Sequence, residues 1–336
     1  MNLEELFLIL GYTKEDMNEI INSYPLNCYK ESAIYKKVKT IYDYFIAFGY
    51  KKEEVIKITK VHPSIYCYEI ENIQKKIENI ILIGYKKEEI IKMTIKWPHI
   101  YGLSKENIKE KIEDMILLGY KKEEVMKITK VHPSIFGLFK ENIKEKIEGM
   151  MLLGYSRQDV IKITKNSPSL FFYSIENMKQ KIEDIILLGY TKEEVIRMTI
   201  ALPQIYDLLI ETIKEKLNII IFLGYTKAEA IQITNKFPSI FGLSTETIKE
   251  KIEFYDSINL HEMIILNSKQ LMQSVDLSYA RYMFFKNECK TEIDINNYIK
   301  LFYSKKRFEG QYGISNNYLL KKYNYSDSKK YCLNKI

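Results

Sequence analysis

Seven Gly-Tyr pairs and seven prolines set the register of this chain. The pairs fall at Gly11-Tyr12, Gly49-Tyr50, Gly84-Tyr85, Gly119-Tyr120, Gly154-Tyr155, Gly189-Tyr190 and Gly224-Tyr225, in one step of 38 residues and five of 35. Each proline follows its glycine by 14 positions, at Pro25, Pro63, Pro98, Pro133, Pro168, Pro203 and Pro238, and none lies outside this register. A period held this long specifies an all-α solenoid in which each repeat packs on its neighbours rather than around one central core. Composition agrees. With 46% hydrophobic residues among 336 the chain can offset the entropy of ordering, and 13 glycines are too few for the many tight turns of an all-β protein.

Each repeat, numbered here by its glycine, reads as helix, turn, helix. In the fourth, KKEEVMKITKVH after Tyr120 is the first helix, with Val125, Ile128 and Thr129 on one face. Pro133 removes a backbone donor and turns His132 out of the helical region. The short stretch Ser134 to Leu138 fits a turn of 3₁₀ helix. The second helix runs from about Lys140 to Leu153, with Ile143, Ile147, Met150 and Met151 at helical spacing. Gly154 closes it as a left-handed cap. Thr13 with Asp16, Ser156 with Asp159 and Thr191 with Glu194 are capping signals at first-helix starts. Helices of roughly 17 and 21 Å, stacked at about 10 Å per layer, make an extended concave surface rather than a pocket. After Tyr255 the period is lost. Residues 256–299 are read as a helical cap on a repeat array of 1–255, and 300–336 as a basic, aromatic-rich tail.

The unit (Leu-Gly-Tyr, an acidic helix, Pro-Ser-Ile-Tyr, a helix ending Leu-Leu-Gly-Tyr) resembles the mitochondrial transcription termination factor (mTERF) family over residues 1–255. LMQSVDLSYARYMFF and FYSKKRFEGQY look like that family's closing motif. The resemblance implies an α-solenoid that binds double-stranded DNA or RNA and acts in transcription termination, transcription control or RNA processing. A protein-interaction scaffold using the same groove is the alternative, so a protein partner is also to be considered. The chain is expected to be a monomer.

Catalytic and cofactor signatures do not occur in the sequence: it has no Gly-rich phosphate loop, HExxH or nucleophile elbow. No catalytic residue, cofactor or metal ligand is therefore assigned, and an enzyme is not expected. His62 and His132 fill one slot two layers apart, about 20 Å, too far to share a metal. The cysteines, Cys28, Cys67, Cys289 and Cys332, form no CxxC pair, which suits a reducing compartment. The acidic start MNLEELFLIL is not a signal or transit peptide. The expected location is the cytoplasm of a bacterium, or an organelle if a presequence was removed. No apolar run approaches the roughly 20 residues of a membrane span.

Candidate contacts come from the repeat columns. One column places a base at the start of every first helix: Lys14, Lys52, Lys87, Lys122, Arg157, Lys192 and Lys227. A second, also on the first helix, is Lys57, Lys92, Lys127, Lys162 and Arg197. A third, on the second helix, is Lys76, Lys111, Lys146, Lys181, Lys216 and Lys251. A regular row of cations can track a regular polyanion. The competing reading is that they solvate helix surfaces, with Glu53–Lys57, Glu88–Lys92, Glu123–Lys127 and Glu193–Arg197 as i,i+4 pairs. Around each proline the scaffold holds while single positions vary, as in repeats that read one base each. From these slots Lys96, His99, Asn166, Gln204 and Lys236 are contact candidates, with drift at unconstrained positions as the alternative. The residue just before proline (His62, Trp97, His132, Ser167, Leu202, Phe237) belongs to packing by helical phase. The aromatics three residues after it (Tyr66, Tyr101, Phe136, Phe171, Tyr206, Phe241) and the Gly-Tyr tyrosines are assigned to the core.

Net charge sharpens the tail. Residues 1–299 balance 42 bases against 42 acids, so the whole excess of +7 lies in 300–336, nine bases against Glu309 and Asp327. Tyrosines interleave with those bases, a composition suited to phosphates and stacked bases. Lys305, Lys306 and Arg307 are its densest cluster. Arg281, within the resemblance to the closing motif, is a candidate phosphate contact.

Overall fold

The structure, a computed structural model, describes residues 2–23 and 31–325. Pro25, Cys28, Asp327, Lys329, Lys330, Tyr331, Cys332 and Lys335 lie outside the described residues. Nineteen α-helices and no strand occur among those described, so the fold is all-α and built of helical repeats. It divides into two compact units, Met1–Ile175 and Glu176–Ile336. No helix among the described residues is long and apolar enough to cross a membrane.

The repeat takes the expected form. In the fourth, a helix over Lys122–Val131 is followed by a 3₁₀ turn over Pro133–Gly137 and a helix over Lys140–Leu153. Proline opens the 3₁₀ turn because its ring has no N–H to donate and its fixed φ suits a helical start. His132, at φ −129°, breaks the preceding helix. Gly154 sits at φ 116° and donates its N–H back to the Met150 and Met151 carbonyls. The three predicted caps form: Thr13, Ser156 and Thr191 each accept from the backbone N–H three residues on, at 3.0–3.2 Å.

Adjacent repeats are riveted by a buried polar pair. Three Gly-Tyr tyrosines of the first unit reach the threonine on the first helix of the next repeat, 44 residues on: Tyr50 to Thr94 at 2.6 Å, Tyr85 to Thr129 and Tyr120 to Thr164 at 2.7 Å. In the second unit Tyr190 meets Thr234 at 2.6 Å. Thr129 gives its own hydroxyl proton to the Val125 carbonyl at 2.8 Å, so the tyrosine is the donor in the pair. Burial pushes the phenols of Tyr50, Tyr85 and Tyr120 up to about 12. A polar group can stay dry only when its bonds are made. The aromatics after proline are buried as assigned, Tyr101 and Phe241 completely.

Beyond Tyr255 the sequence loses its period but the architecture does not. A helix over His261–Asn267, a 3₁₀ turn over Ser268–Met272 and a helix over Val275–Asn287 make an eighth repeat without proline. Asn259 stands at the glycine position with φ 59°, and Leu260, fully buried, stands at the tyrosine position. Asparagine is among the few L-residues that enter this region readily. The stretch read as a basic, aromatic-rich tail carries regular structure too. Residues up to 325 are folded, with a 3₁₀ turn over Tyr298–Phe302 and helices over Lys305–Tyr312 and Asn316–Lys322. Leu301, Phe308 and Leu319 are fully buried. Most of the tail's aromatics pack rather than wait for bases: Phe308 and Tyr312 meet Phe284 and Phe285 at 5.2–6.0 Å.

Candidate nucleic-acid interface

The three cation columns look alike in sequence and do three different things. The third is structural. Lys76 donates to the Leu103 carbonyl at 2.8 Å, Lys181 to that of Leu208 at 2.5 Å and Lys216 to that of Phe241 at 2.5 Å. Lys251 does the same to Gln273 at 2.6 Å, carrying the device into the eighth repeat. Lys76, Lys181 and Lys251 bolt a second helix to the backbone just past the next 3₁₀ turn, and Lys216 bolts one to the turn itself. Burial pulls the ammonium groups of Lys76, Lys216 and Lys251 downward. A side chain so engaged is not available to a phosphate.

The first column, at the start of each first helix, is exposed, yet it lies over the end of an earlier second helix. Lys87 is 5.0 Å from the Phe48 ring centroid. Arg157 donates to the Leu118 carbonyl at 2.9 Å, and Lys227 lies against Gly189. These are favourable places for a cation, since helix C-termini carry partial negative charge. Lys14 pairs with Glu4 at 3.1 Å. Lys52, Lys122 and Lys192 are exposed as well.

The second column is the free one. Lys57, Lys92, Lys127 and Lys162 in the first unit, and Arg197 in the second, are exposed and make no hydrogen bond or ion pair among the described residues. The expected i,i+4 pairs with Glu53, Glu88, Glu123 and Glu193 are not formed. On three first helices it is the carboxylate closing the capping box that bridges to a lysine. Glu89 takes Lys130 and Glu124 takes Lys165, both at 2.8 Å, one repeat further on. Asp16 likewise takes Lys60 at 2.5 Å, and those lysines hold the three carboxyls below their ordinary range. Sequence spacing alone could not find this linkage, because its partners are 41–44 residues apart.

The variable slots divide in the same way. Lys96 donates to the Val131 carbonyl at 3.1 Å, and Lys236 to those of Ile265 and Leu266 at 3.0 and 3.2 Å. Both brace the end of the next first helix. Asn166 is exposed one turn beyond Lys162 on the same helix face. His99 is exposed, its ring 5.0 Å from that of His62 and 6.0 Å from that of Trp97. Gln204 is exposed in the second unit. The residues just before proline are buried or half-buried, as assigned to packing. Burial, followed by the charges of His99 and Lys76, pulls His62 down to about 4.

Arg281 leaves the candidate set. It is 1% exposed, and its guanidinium donates to the Leu301 carbonyl at 2.8 Å, to that of Tyr303 at 2.7 Å and to Asn316 Oδ1 at 3.0 Å. It also lies 4.3 Å from the Phe308 ring centroid. No phosphate reaches a guanidinium spent in this way. Lys305, Lys306 and Arg307 are exposed on the first turn of their helix, with Arg307 stacked 3.7 Å from the Tyr303 ring centroid. Three cations at a helix start face the positive end of its dipole, so an anion would relieve a local repulsion there.

Residues 11–187 and 185–264 match the mTERF family, two stretches that together span most of the chain. No curated protein matches.

Proposed function

This chain belongs to the mTERF family, whose members are generally nucleic-acid-binding helical repeat proteins, and from that premise we propose that it binds DNA or RNA and regulates or terminates transcription by occupying a site. The observation that carries the reading is the free column Lys57, Lys92, Lys127 and Lys162, one unpaired cation per repeat. A strand of duplex DNA advances 3.4 Å per phosphate along the axis. Cations one layer apart, about 10 Å, therefore fall on every third phosphate. Asn166 shares a face with Lys162 and supplies an amide to the same ridge. Lys305, Lys306 and Arg307 form a second, separate cationic group. Contact with phosphates positions a protein without reading sequence, so His99, Asn166 and Gln204 are the candidates for discrimination.

Fluorescence anisotropy with labelled duplex DNA, single-stranded DNA and RNA tests the reading. Affinity is expected to fall steeply with salt, and replacing Lys57, Lys92, Lys127 and Lys162 with glutamine should flatten the slope by about three to four units in log–log form. Reversing Lys305, Lys306 and Arg307 to glutamate separates the two cationic groups. No affinity for any of the three probes at about 50 mM salt would end the reading.

A further inference from the structure

The second helices present an apolar row that no part of the described structure covers. Two residues before each glycine stands a large apolar side chain pointing to solvent: Ile9, Leu82, Leu117 and Leu152 in the first unit are 65–85% exposed. Only Ala47 is small. One residue earlier, Leu8, Ile46, Ile81, Ile116 and Met151 are 38–44% exposed. Scattered exposed leucines need no explanation, but two per repeat at fixed positions over successive repeats form a contiguous patch, and such patches mark interaction sites. The row is not a fault in packing, because the apolar faces of the same helices are buried: Ile73, Ile77, Ile108, Ile112, Ile143 and Ile147 are at most 4% exposed.

The charges beside the row differ on its two sides. One helical turn back lie Glu78, Glu113 and Glu148, all exposed, with Glu148 3.7 Å from Lys144. Across the glycine end lie Lys87 and Arg157, held against Phe48 and Leu118. An apolar seam with acids along one flank and bases along the other is how a coiled-coil strand specifies its partner. The pitch agrees. Seven residues of α-helix rise about 10.5 Å, close to the spacing of packed helix layers, and a heptad offers two apolar positions where each repeat here offers two.

We propose that the row from Leu8 to Leu152 seats an amphipathic helix of a partner protein. That helix carries apolar residues at heptad a and d, bases on the flank facing Glu78, Glu113 and Glu148, and acids on the flank facing Lys87 and Arg157. It lies along the ends of the second helices, whereas the free lysines belong to the first helices, so the site does not depend on nucleic-acid binding.

The probe is a labelled synthetic helix of about four heptads with leucine at a and d, lysine along one flank and glutamate along the other, titrated by anisotropy into the full-length protein. The intact protein should bind it, and Leu82→Ser, Leu117→Ser and Leu152→Ser combined should weaken binding by about tenfold or more, with duplex DNA affinity unchanged. Glu78→Lys with Glu113→Lys should also weaken it, and a peptide with its lysine flank changed to glutamate should restore binding to that variant. This charge swap keeps the test valid if the serine variant misfolds. Equal binding to intact and variant proteins, or no rescue by the swapped peptide, overturns the proposal. So does dimerisation of the chain, or sedimentation with phosphatidylserine vesicles, that the serine substitutions abolish, because the row would then have a different occupant.

Discussion

Gly154 ends the second helix of the fourth repeat at φ 116°, while Asn259 follows that of the seventh at φ 59°. The next residue is buried in both places, Tyr155 in one and Leu260 in the other. The Gly-Tyr rivet, Tyr85 with Thr129 at 2.7 Å in the array, has no counterpart at Leu260; a different buried pair, Tyr255 of the second helix with Ser278 at 2.7 Å, takes over near the chain's end. The lysine bolt to the backbone past the 3₁₀ turn recurs from Lys181 to Lys251. The jobs that recur are backbone jobs: a left-handed turn, and carbonyls that must not be buried unbonded. Any side chain able to do the job can hold the position. Repetition of structure therefore outlasts repetition of letters, and a repeated letter can hold different jobs.

The sharpest way to break this comparison is to exchange a buried cation for a free one. Arg281→Leu leaves the Leu301 and Tyr303 carbonyls and Asn316 without their donor, and should cost about 3 kcal/mol or more of stability. Nucleic-acid affinity of the remaining folded protein should not change. Lys57→Gln should do the reverse, leaving the thermal midpoint alone and weakening binding. A binding loss for Arg281→Leu without a change in melting would return Arg281 to the interface.

A smaller effect follows from His62. Its folded-state affinity for protons is depressed, mainly by burial, to about 4. The unfolded chain therefore takes up a proton that the folded chain refuses, and stability present above pH 6.5 should decline as the pH falls towards 4. The capping carboxylates Asp16, Glu89 and Glu124, lowered by their lysines, add a loss of the same sign in more acid solution. His62→Gln should flatten the upper part of the curve of melting temperature against pH. An unchanged profile would mean that His62 is hydrated.

The buried tyrosine pairs come next. Tyr85→Phe and Tyr255→Phe each remove a single buried donor and should cost about 1 kcal/mol, read from urea midpoints. Similar costs would show that the eighth repeat is held as the others are. A negligible cost at Tyr255 alone would make that repeat a looser appendage.

Most of the fold was legible because its determinants are local. Gly154 and Pro133 fix their turns through their own φ and missing donor, and Val125, Ile128 and Thr129 reveal their face by helical phase. The candidate site was less legible, because availability of a cation depends on what lies far along the chain. Nothing near Lys76 announces the Leu103 carbonyl 27 residues away, and Glu53 beside Lys57 suggested a pair that does not form. Arg281 misled for the same reason: basic residues in a tyrosine-rich segment suit phosphates equally well whether buried or exposed. The eighth repeat escaped notice because Asn259 does glycine's work without being glycine.

That substitution is also the finest test. If position 259 needs only a left-handed backbone, Asn259→Gly should leave stability within a few tenths of a kcal/mol, trading relief of strain against added freedom in the unfolded chain. Asn259→Ala should cost about 1 kcal/mol, since alanine's Cβ opposes this conformation and its side chain makes no local bond. Hydrogen exchange over His261–Asn287 would locate the loss in the eighth repeat. Should alanine prove as good as asparagine there, the turn is not under the constraint that Gly154 obeys, and the likeness between the array and its last repeat is one of outline only.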